Sequence, residues 1–291
     1  MGIEKTMLII YFMTVLGLPF AWKKFKGGVD LAWVGFEISL KGSKLGLSVA
    51  RSQWLFKWLS ETADTGRVRV ADMSAVLGRL SFGLTALGHL RPFLGPVYAW
   101  TAAMTGKVIW GQLPKAIILI FRFLAKALAG SGRLVSVPPA PGERVELFRT
   151  DARAEGNEIW IGGWALDSSD TKQCRWFSEK LCHANAPWLF TAGEGYRQIA
   201  SLELLATLAA VLVFGVPVNM RSKMHCSAGT DNKGNSHVVA RLLTTKFPLA
   251  AFLMELAMQL QCVGADLELY WLPRLQNQEA DALTNDDLTR F

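Results

Sequence analysis

Trp271-Leu-Pro-Arg-Leu-Gln-Asn277-Gln-Glu-Ala280-Asp281-Ala-Leu283 joins a strand-like run that stops at Pro273 to a short helical segment carrying an acid. Asp281 follows Asn277 by four residues, so one helical turn puts both polar side chains on a common face. A solvated helix end explains that spacing equally well when it stands alone. Upstream, three more acids occupy telling positions: Asp151 ending a strand, Glu203 inside a helix, and Asp231 before Asn232-Lys-Gly-Asn235. Carboxylates repel one another and are costly to bury, so a fold that gathers several of them usually holds divalent cations between them.

Glu203 says most about its own environment. Ile199, Ala206 and Ala210 are apolar and lie on its helical face, so the carboxylate points toward the core. There it needs a cation, a hydrogen-bonding partner, a proton or a salt bridge to a nearby arginine. Asp151 follows Glu146-Leu-Phe-Arg-Thr, a strand whose C-terminal end would present it; Asp231 sits in Thr-Asp-Asn-Lys-Gly-Asn. Taken singly, each of these aspartates is an ordinary turn former.

Working toward the N-terminus, Leu267–Leu272 is a strand, residues 237–262 hold one or two helices, and a strand is expected around 224–230. Residues 196–213 are strongly helical. Residues 145–151, 157–166 and 172–178 read as a meander of three strands, the middle one being Glu158-Ile-Trp-Ile-Gly-Gly-Trp-Ala-Leu. Gly130-Ser-Gly, Pro138-Pro139 and Pro141-Gly142 interrupt all periodicity and mark a linker over 130–144 between a region 1–129 and a region 145–291. Before the linker, helices are expected near 50–63, 71–88, 91–105 and 113–129, and residues 27–50 suggest a β-hairpin around a Gly/Ser/Lys turn. The expected class is therefore α+β, a hairpin plus a helical bundle, followed by an α/β unit. At 291 residues two cores are affordable.

Net charge +7 conceals an asymmetry. Residues 1–145 carry 18 Lys/Arg against 7 Asp/Glu, and residues 146–291 carry 13 against 17, giving about +11 and −4. Such a division suggests a part that grips a polyanion beside a part whose carboxylates await metal, although two solvated surfaces of opposite sign would also produce it. Cys174, Cys182, Cys226 and Cys262 form no C-x-x-C pair, so reduced and mostly buried thiols are expected, with neither zinc nor a disulfide framework. His225 and His237 belong to no motif and are expected as surface or core histidines. With 51% hydrophobic residues and a mean hydropathy of +0.24, a membrane segment has to be weighed. Met7–Trp22 is a 16-residue apolar run flanked by lysines, shorter than the roughly 20 residues a span needs and broken by Gly17 and Pro19. Val108–Leu128 carries Lys115, Arg122 and Lys126 on one face and is expected to be an amphipathic helix.

Together, Thr150-Asp151-Ala152 with Gly162-Gly163-Trp164, Leu202-Glu203-Leu204-Leu205-Ala206, Gly229-Thr230-Asp231-Asn232 and the Asn277…Leu283 segment resemble the ribonuclease H family. The last segment is similar to the end of retroelement ribonuclease H domains, where a strand closing in Pro is followed by Asn-x-x-Ala-Asp-x-Leu. Gly17-Leu-Pro-Phe-Ala-Trp-Lys-Lys, Gly27-Gly28 and Trp33-Val-Gly-Phe-Glu-Ile38 resemble the end of a reverse transcriptase palm, and Leu77-Gly-Arg-Leu-Ser-Phe82 with Leu90-Arg-Pro-Phe-Leu94 resembles a thumb. The resemblance covers nearly the whole chain, as the C-terminal portion of a retroelement polyprotein of the tyrosine-recombinase type. Two departures stand out. Met220–Gly229 is a poor strand by composition, and after Asp281 the chain continues Ala-Leu-Thr-Asn-Asp-Asp where Leu-Ser-Arg is usual. No strand-flanked aromatic-x-Asp-Asp motif is present, so the fingers and catalytic palm are expected to be truncated and no polymerase active site is expected in this chain.

The resemblance implies a mixed five-stranded sheet flanked by helices. It also implies a nuclease in which Asp151, Glu203, Asp231 and Asp281 hold two Mg²⁺ or Mn²⁺ ions about 4 Å apart for in-line attack on an RNA phosphodiester. Asp151 would bridge the ions, Glu203 and Asp231 would complete one shell, Asp281 would complete the other, and Asn277 would orient Asp281. The implied partner is an RNA–DNA hybrid recognised through 2′-hydroxyls, with a polymerase fingers and palm segment supplied elsewhere. A nuclear or cytoplasmic location is expected over secretion or a membrane. Three rival readings remain: a decayed copy that only binds nucleic acid, a protein anchored to a membrane through residues 7–22, and a related nuclease acting on DNA.

Overall fold

The computed structural model describes residues 3–24, 26–137, 145–156, 158–168, 170–190, 198–216 and 224–291. It opens on α1 (Ile3–Val15), where Met7, Leu8, Tyr11, Phe12 and Val15 are exposed. The helix ends short of Gly17, whose φ of +69° is left-handed, so the apolar run does not continue as one rod. Among the described residues no helix is long and apolar enough to cross a membrane.

β1 (Asp30–Trp33) and β2 (Phe36–Ser39) form a hairpin turned by Val34-Gly35, both at positive φ as in a type I′ turn, ahead of the Gly/Ser/Lys turn where one is expected. The hairpin is half of a larger sheet. β3 (Lys44–Leu47) pairs antiparallel to β2 across the Gly/Ser/Lys turn, which is the expected hairpin, and β6 (Leu134–Ser136), from the expected linker, pairs antiparallel to β3. Glycine at 46 permits this, because a Cβ there would lie 1.9 Å from the Arg133 carbonyl oxygen. Arg133 secures the edge: its guanidinium donates to both Glu37 carboxylate oxygens at 2.7 and 3.1 Å and to the Leu47 carbonyl at 2.8 Å.

Between β3 and β6 lie α2 (Val49–Thr65), α3 (Val70–Gly83), α4 (Leu94–Met104) and α5 (Lys115–Leu128), with β4 (Arg67–Arg69) and β5 (Trp110–Gln112) forming a small antiparallel pair. The helix expected over 71–88 stops at Gly83, and Gly88–Phe93 is a separate 3-10 turn. α5 is amphipathic as its spacing predicts. Ile117, Phe121, Leu124 and Leu128 are buried against Leu55, Leu59, Met73 and Leu80, while Lys115, Arg122 and Lys126 are exposed. Each leucine fully withdrawn from water there contributes roughly 2 kcal/mol.

The second part is a mixed sheet in the order β11-β10-β7-β8-β9, built from β7 (Val145–Glu155), β8 (Glu158–Ala165), β9 (Trp176–Lys180), β10 (Met224–Thr230) and β11 (Ala265–Trp271). β7, β8 and β9 form an antiparallel meander, and β10 runs parallel to both β7 and β11. Helices α6 (Ile199–Phe214), α7 (Lys233–Arg241), α8 (Leu249–Val263) and α9 (Gln278–Thr284) flank it. This is the α/β class and mixed five-stranded sheet expected.

Two local expectations are corrected and one is met against the composition. β7 runs four residues past Asp151, because Ala152–Glu155 pairs with Glu158–Ile161 before the chain reverses at Gly156; Asp151 therefore sits inside the strand and not at its end. The third strand begins at Trp176, since Thr171–Gln173 is taken by a 3-10 turn that the Asp170 carboxylate caps. Met224–Thr230 is the strand expected around 224–230, despite its poor composition, because a strand paired on both sides here needs small side chains: Ala228 is fully buried, and a Cβ on Gly229 would lie 2.3 Å from Leu272 Cδ2. Residues 220–223 and the Pro-rich 138–144 lie outside the described residues.

Candidate active site

Glu203 is the only charged residue on α6, a helix that is apolar on every side and buries Leu202, Leu204, Ala206 and Ala210 around it. Its side chain follows the helix into the core, as the spacing requires, and is 5% exposed. Two threonines fix α6 to the central strand at this level. Thr207 donates to the Glu203 carbonyl at 3.1 Å, and its Oγ1 lies 3.3 Å from Thr150 Oγ1, one residue before Asp151. Asp151 is also 5% exposed and projects from the opposite face of β7 to Thr150.

α9 approaches that second face closely. Gly162, opposite Asp151 on β8, makes room for it, since a Cβ at Gly162 would come within 2.9 Å of Leu283 Cβ. The approach places the Thr284 hydroxyl 2.9 Å from Asp151 Oδ2. Asn277 is fully buried at the start of α9 and donates through Nδ2 to the Thr150 carbonyl at 3.0 Å. Asn277 thus tethers the helix that carries Asp281 to the strand that carries Asp151, and does not contact the Asp281 carboxylate. Asp231 leaves the end of β10, and Asn232 caps α7 by accepting from the Asn235 amide. Asn235 in turn donates to the Ala200 carbonyl at 2.8 Å, joining α7 to α6.

The outcome is a cluster. Carboxylate oxygens of Asp151, Glu203 and Asp231 all lie within 4.8 Å of one another. Asp281 stands outside that group but near it, and its Oδ1 accepts from Arg274 Nη2 at 2.5 Å and Nε at 3.1 Å. Burial, reinforced by the Asp231 and Asp281 charges, pushes Asp151 up to about 7 against the opposing Thr284 hydroxyl. Glu203 is held well above the usual carboxylate range, first by burial and then by Asp151 and Asp231, with Thr230 and Arg274 opposing. Burial raises Asp231 as well, which Arg274 counteracts. Three carboxylates this close cannot all ionise without a counter-charge. One oxygen shows the deficit directly: Glu203 Oε2 is buried and has no hydrogen-bond partner. Clustered oxygen ligands with an orphaned buried carboxylate oxygen fit a hard divalent cation.

His225 lies 3.9 Å from Asp266 on the sheet and His237 is exposed on α7; neither belongs to the cluster. All four cysteines are free, but only Cys174 and Cys226 are buried; Cys182, beyond β9, and Cys262, in the last turn of α8, are exposed. Thr284, Thr230 and Arg274 are the contributors that reading the sequence missed. Thr284 alone left a signal, since three residues after Asp281 it shares that helical face.

No protein-family profile matches this chain, and no curated protein matches it. Similar solved structures include ribonuclease H1 of the halophilic archaeon Halobacterium salinarum, at 19% identity and TM-score 0.35 over 50% of this chain and 98% of that one. LC11-RNase H1, isolated from compost by metagenomics, is 19% identical with TM-score 0.35 over 50% of this chain and 97% of its own. The foamy viral protease–reverse transcriptase, solved with double-stranded DNA, is 11% identical with TM-score 0.34, covering 93% of this chain and 52% of that chain. Likenesses this distant carry no weight for activity.

Proposed function

We propose that this protein is a ribonuclease H-like nuclease of retroelement origin that hydrolyses the RNA strand of RNA–DNA hybrids. The observation that supports it is the meeting of Asp151, Glu203 and Asp231 within 4.8 Å, two of them buried and one with an orphaned oxygen. These three would hold Mg²⁺ or Mn²⁺, with Asp281 beside them as the fourth ligand. Divalent ions supply an activated water and stabilise the leaving 3′ oxygen. The chain's own work is to keep the ligands in place. Thr284 orients Asp151, the Thr150–Thr207 contact and Asn235 set the depth of Glu203, and Asn277 fixes the start of the Asp281 helix.

Residues 145–291 form the nuclease unit in this reading. Residues 1–129 are the palm-end and thumb-like region, joined to it through 130–144. The positive excess of residues 1–145 would grip phosphates without reading sequence, and 2′-hydroxyl contacts would select RNA within the hybrid. The test is cleavage by the full chain of a labelled RNA–DNA hybrid in Mg²⁺, beside DNA and RNA duplexes of the same sequence. Hybrid-selective cleavage that EDTA and Asp151→Asn both abolish supports the proposal. Hybrid binding without cleavage refutes the nuclease and leaves a nucleic-acid-binding protein, and preferential cleavage of duplex DNA replaces the substrate.

A further inference from the structure

Among the four acids, Asp281 is the one that a basic side chain of the protein already occupies. Both of its oxygens have donors: Oδ1 takes the two Arg274 contacts, and Oδ2 lies 3.3 Å from Asn285 Nδ2. Glu203 Oε2, by contrast, has none. The Arg274 side chain is 74% exposed and that of Asp281 31%, so their pair sits at the solvent edge of a cluster whose other members lie deeper. Arg274 reaches the Asp281 carboxylate through both Nε and Nη2. It is the counter-ion that the chain itself supplies to this site.

We infer that Arg274 is a resident cation that a divalent ion must displace from Asp281, so that the fourth carboxylate joins the metal site only by exchanging a guanidinium for an ion. The inference rests on the metal-binding reading above. An exposed ion pair is weak and leaves water-accessible routes for its partner to swing away, so the exchange needs only rotation of one long side chain. A guanidinium and a divalent cation cannot share one carboxylate edge without strong mutual repulsion. Arg274 therefore lowers the affinity of the step that recruits Asp281, while leaving the deeper ligands Asp151, Glu203 and Asp231 to load first.

The test is calorimetric titration of the full chain with Mn²⁺, comparing wild type, Arg274→Gln, Arg274→Lys, Asp281→Asn and the Arg274→Gln/Asp281→Asn double variant, with circular dichroism to confirm folding. Arg274→Gln is expected to tighten the weakest Mn²⁺ binding step by about two- to fivefold, the size of an exposed ion pair lost as a competitor. Arg274→Lys keeps the charge and should stay within about twofold of wild type. In the Asp281→Asn background most of the gain should vanish, because the carboxylate under competition is gone. If wild type binds Mn²⁺ and Arg274→Gln binds it no more tightly, the exchange is overturned while the metal site stands. An undiminished gain in the Asp281→Asn background also overturns it, because Arg274 would then act as a general charge. Absence of Mn²⁺ binding in every protein overturns both.

Discussion

Replacing Asp151 by Asn should stabilise the cation-free protein while abolishing its proposed activity. The Asp151 carboxyl is raised from 3.8 to about 7, which corresponds to about 4 kcal/mol against its charged form. Because the folded value lies above the unfolded one, folding takes up a proton. The stability associated with the neutral carboxyl is fully present below the unfolded value near 3.8 and is lost as pH rises through the folded value. Asparagine is neutral at every pH, and its amide oxygen still accepts from the Thr284 hydroxyl. The variant's advantage should thus be near nil around pH 4 and grow to about 2–4 kcal/mol above pH 7, the lower figure allowing for relaxation around the charge. That is a rise in melting temperature of roughly 5–10 °C. Thermal unfolding by circular dichroism in EDTA at pH 4.5 and pH 8.5 measures it. Millimolar Mg²⁺ should then narrow or reverse the gap, since wild type gains binding free energy that the variant lacks a ligand to realise. A variant less stable than wild type by the same amount at both pH values would refute the reasoning, because Asp151 could not then be buried against other carboxylates.

Three further outcomes follow from the contacts around the site. Thr284→Val removes the hydroxyl beside Asp151 and should reduce hybrid cleavage about tenfold, with Thr284→Ser restoring most of it; equal activity in all three would show that the hydroxyl does not position Asp151. Asn277→Ala breaks the buried bond to the Thr150 carbonyl and leaves that carbonyl unpaired, at a cost of about 1–3 kcal/mol in denaturant unfolding. Gly46→Ala forces a methyl into the Arg133 carbonyl and should detach β6 from β3, destabilising by about 1–3 kcal/mol, which faster proteolysis near residue 134 would report.

Short-range pattern reveals faces and element types, and in this chain it carried far. The single acid on an apolar helix forces Glu203 inward, the spacing of Lys115, Arg122 and Lys126 makes α5 amphipathic, and Pro273 ends β11 where expected. It failed where one element's conformation depends on a distant neighbour. Leu134–Ser136 looks like linker until β3 offers it an edge, and Asp151 looks like a strand end until β8 pairs with the residues beyond it.

By itself the sequence determined which acids are present, that Glu203 faces the core, and that a basic region precedes an acidic one, because local periodicity and composition suffice for each. Only the tertiary structure decided that Asp151, Glu203 and Asp231 meet, that Arg274 holds Asp281 aside, and that Thr284 reaches Asp151 across 133 positions of chain. Those are contacts between elements distant in sequence, set by how helices seat on a sheet, and no residue's immediate neighbours encode them.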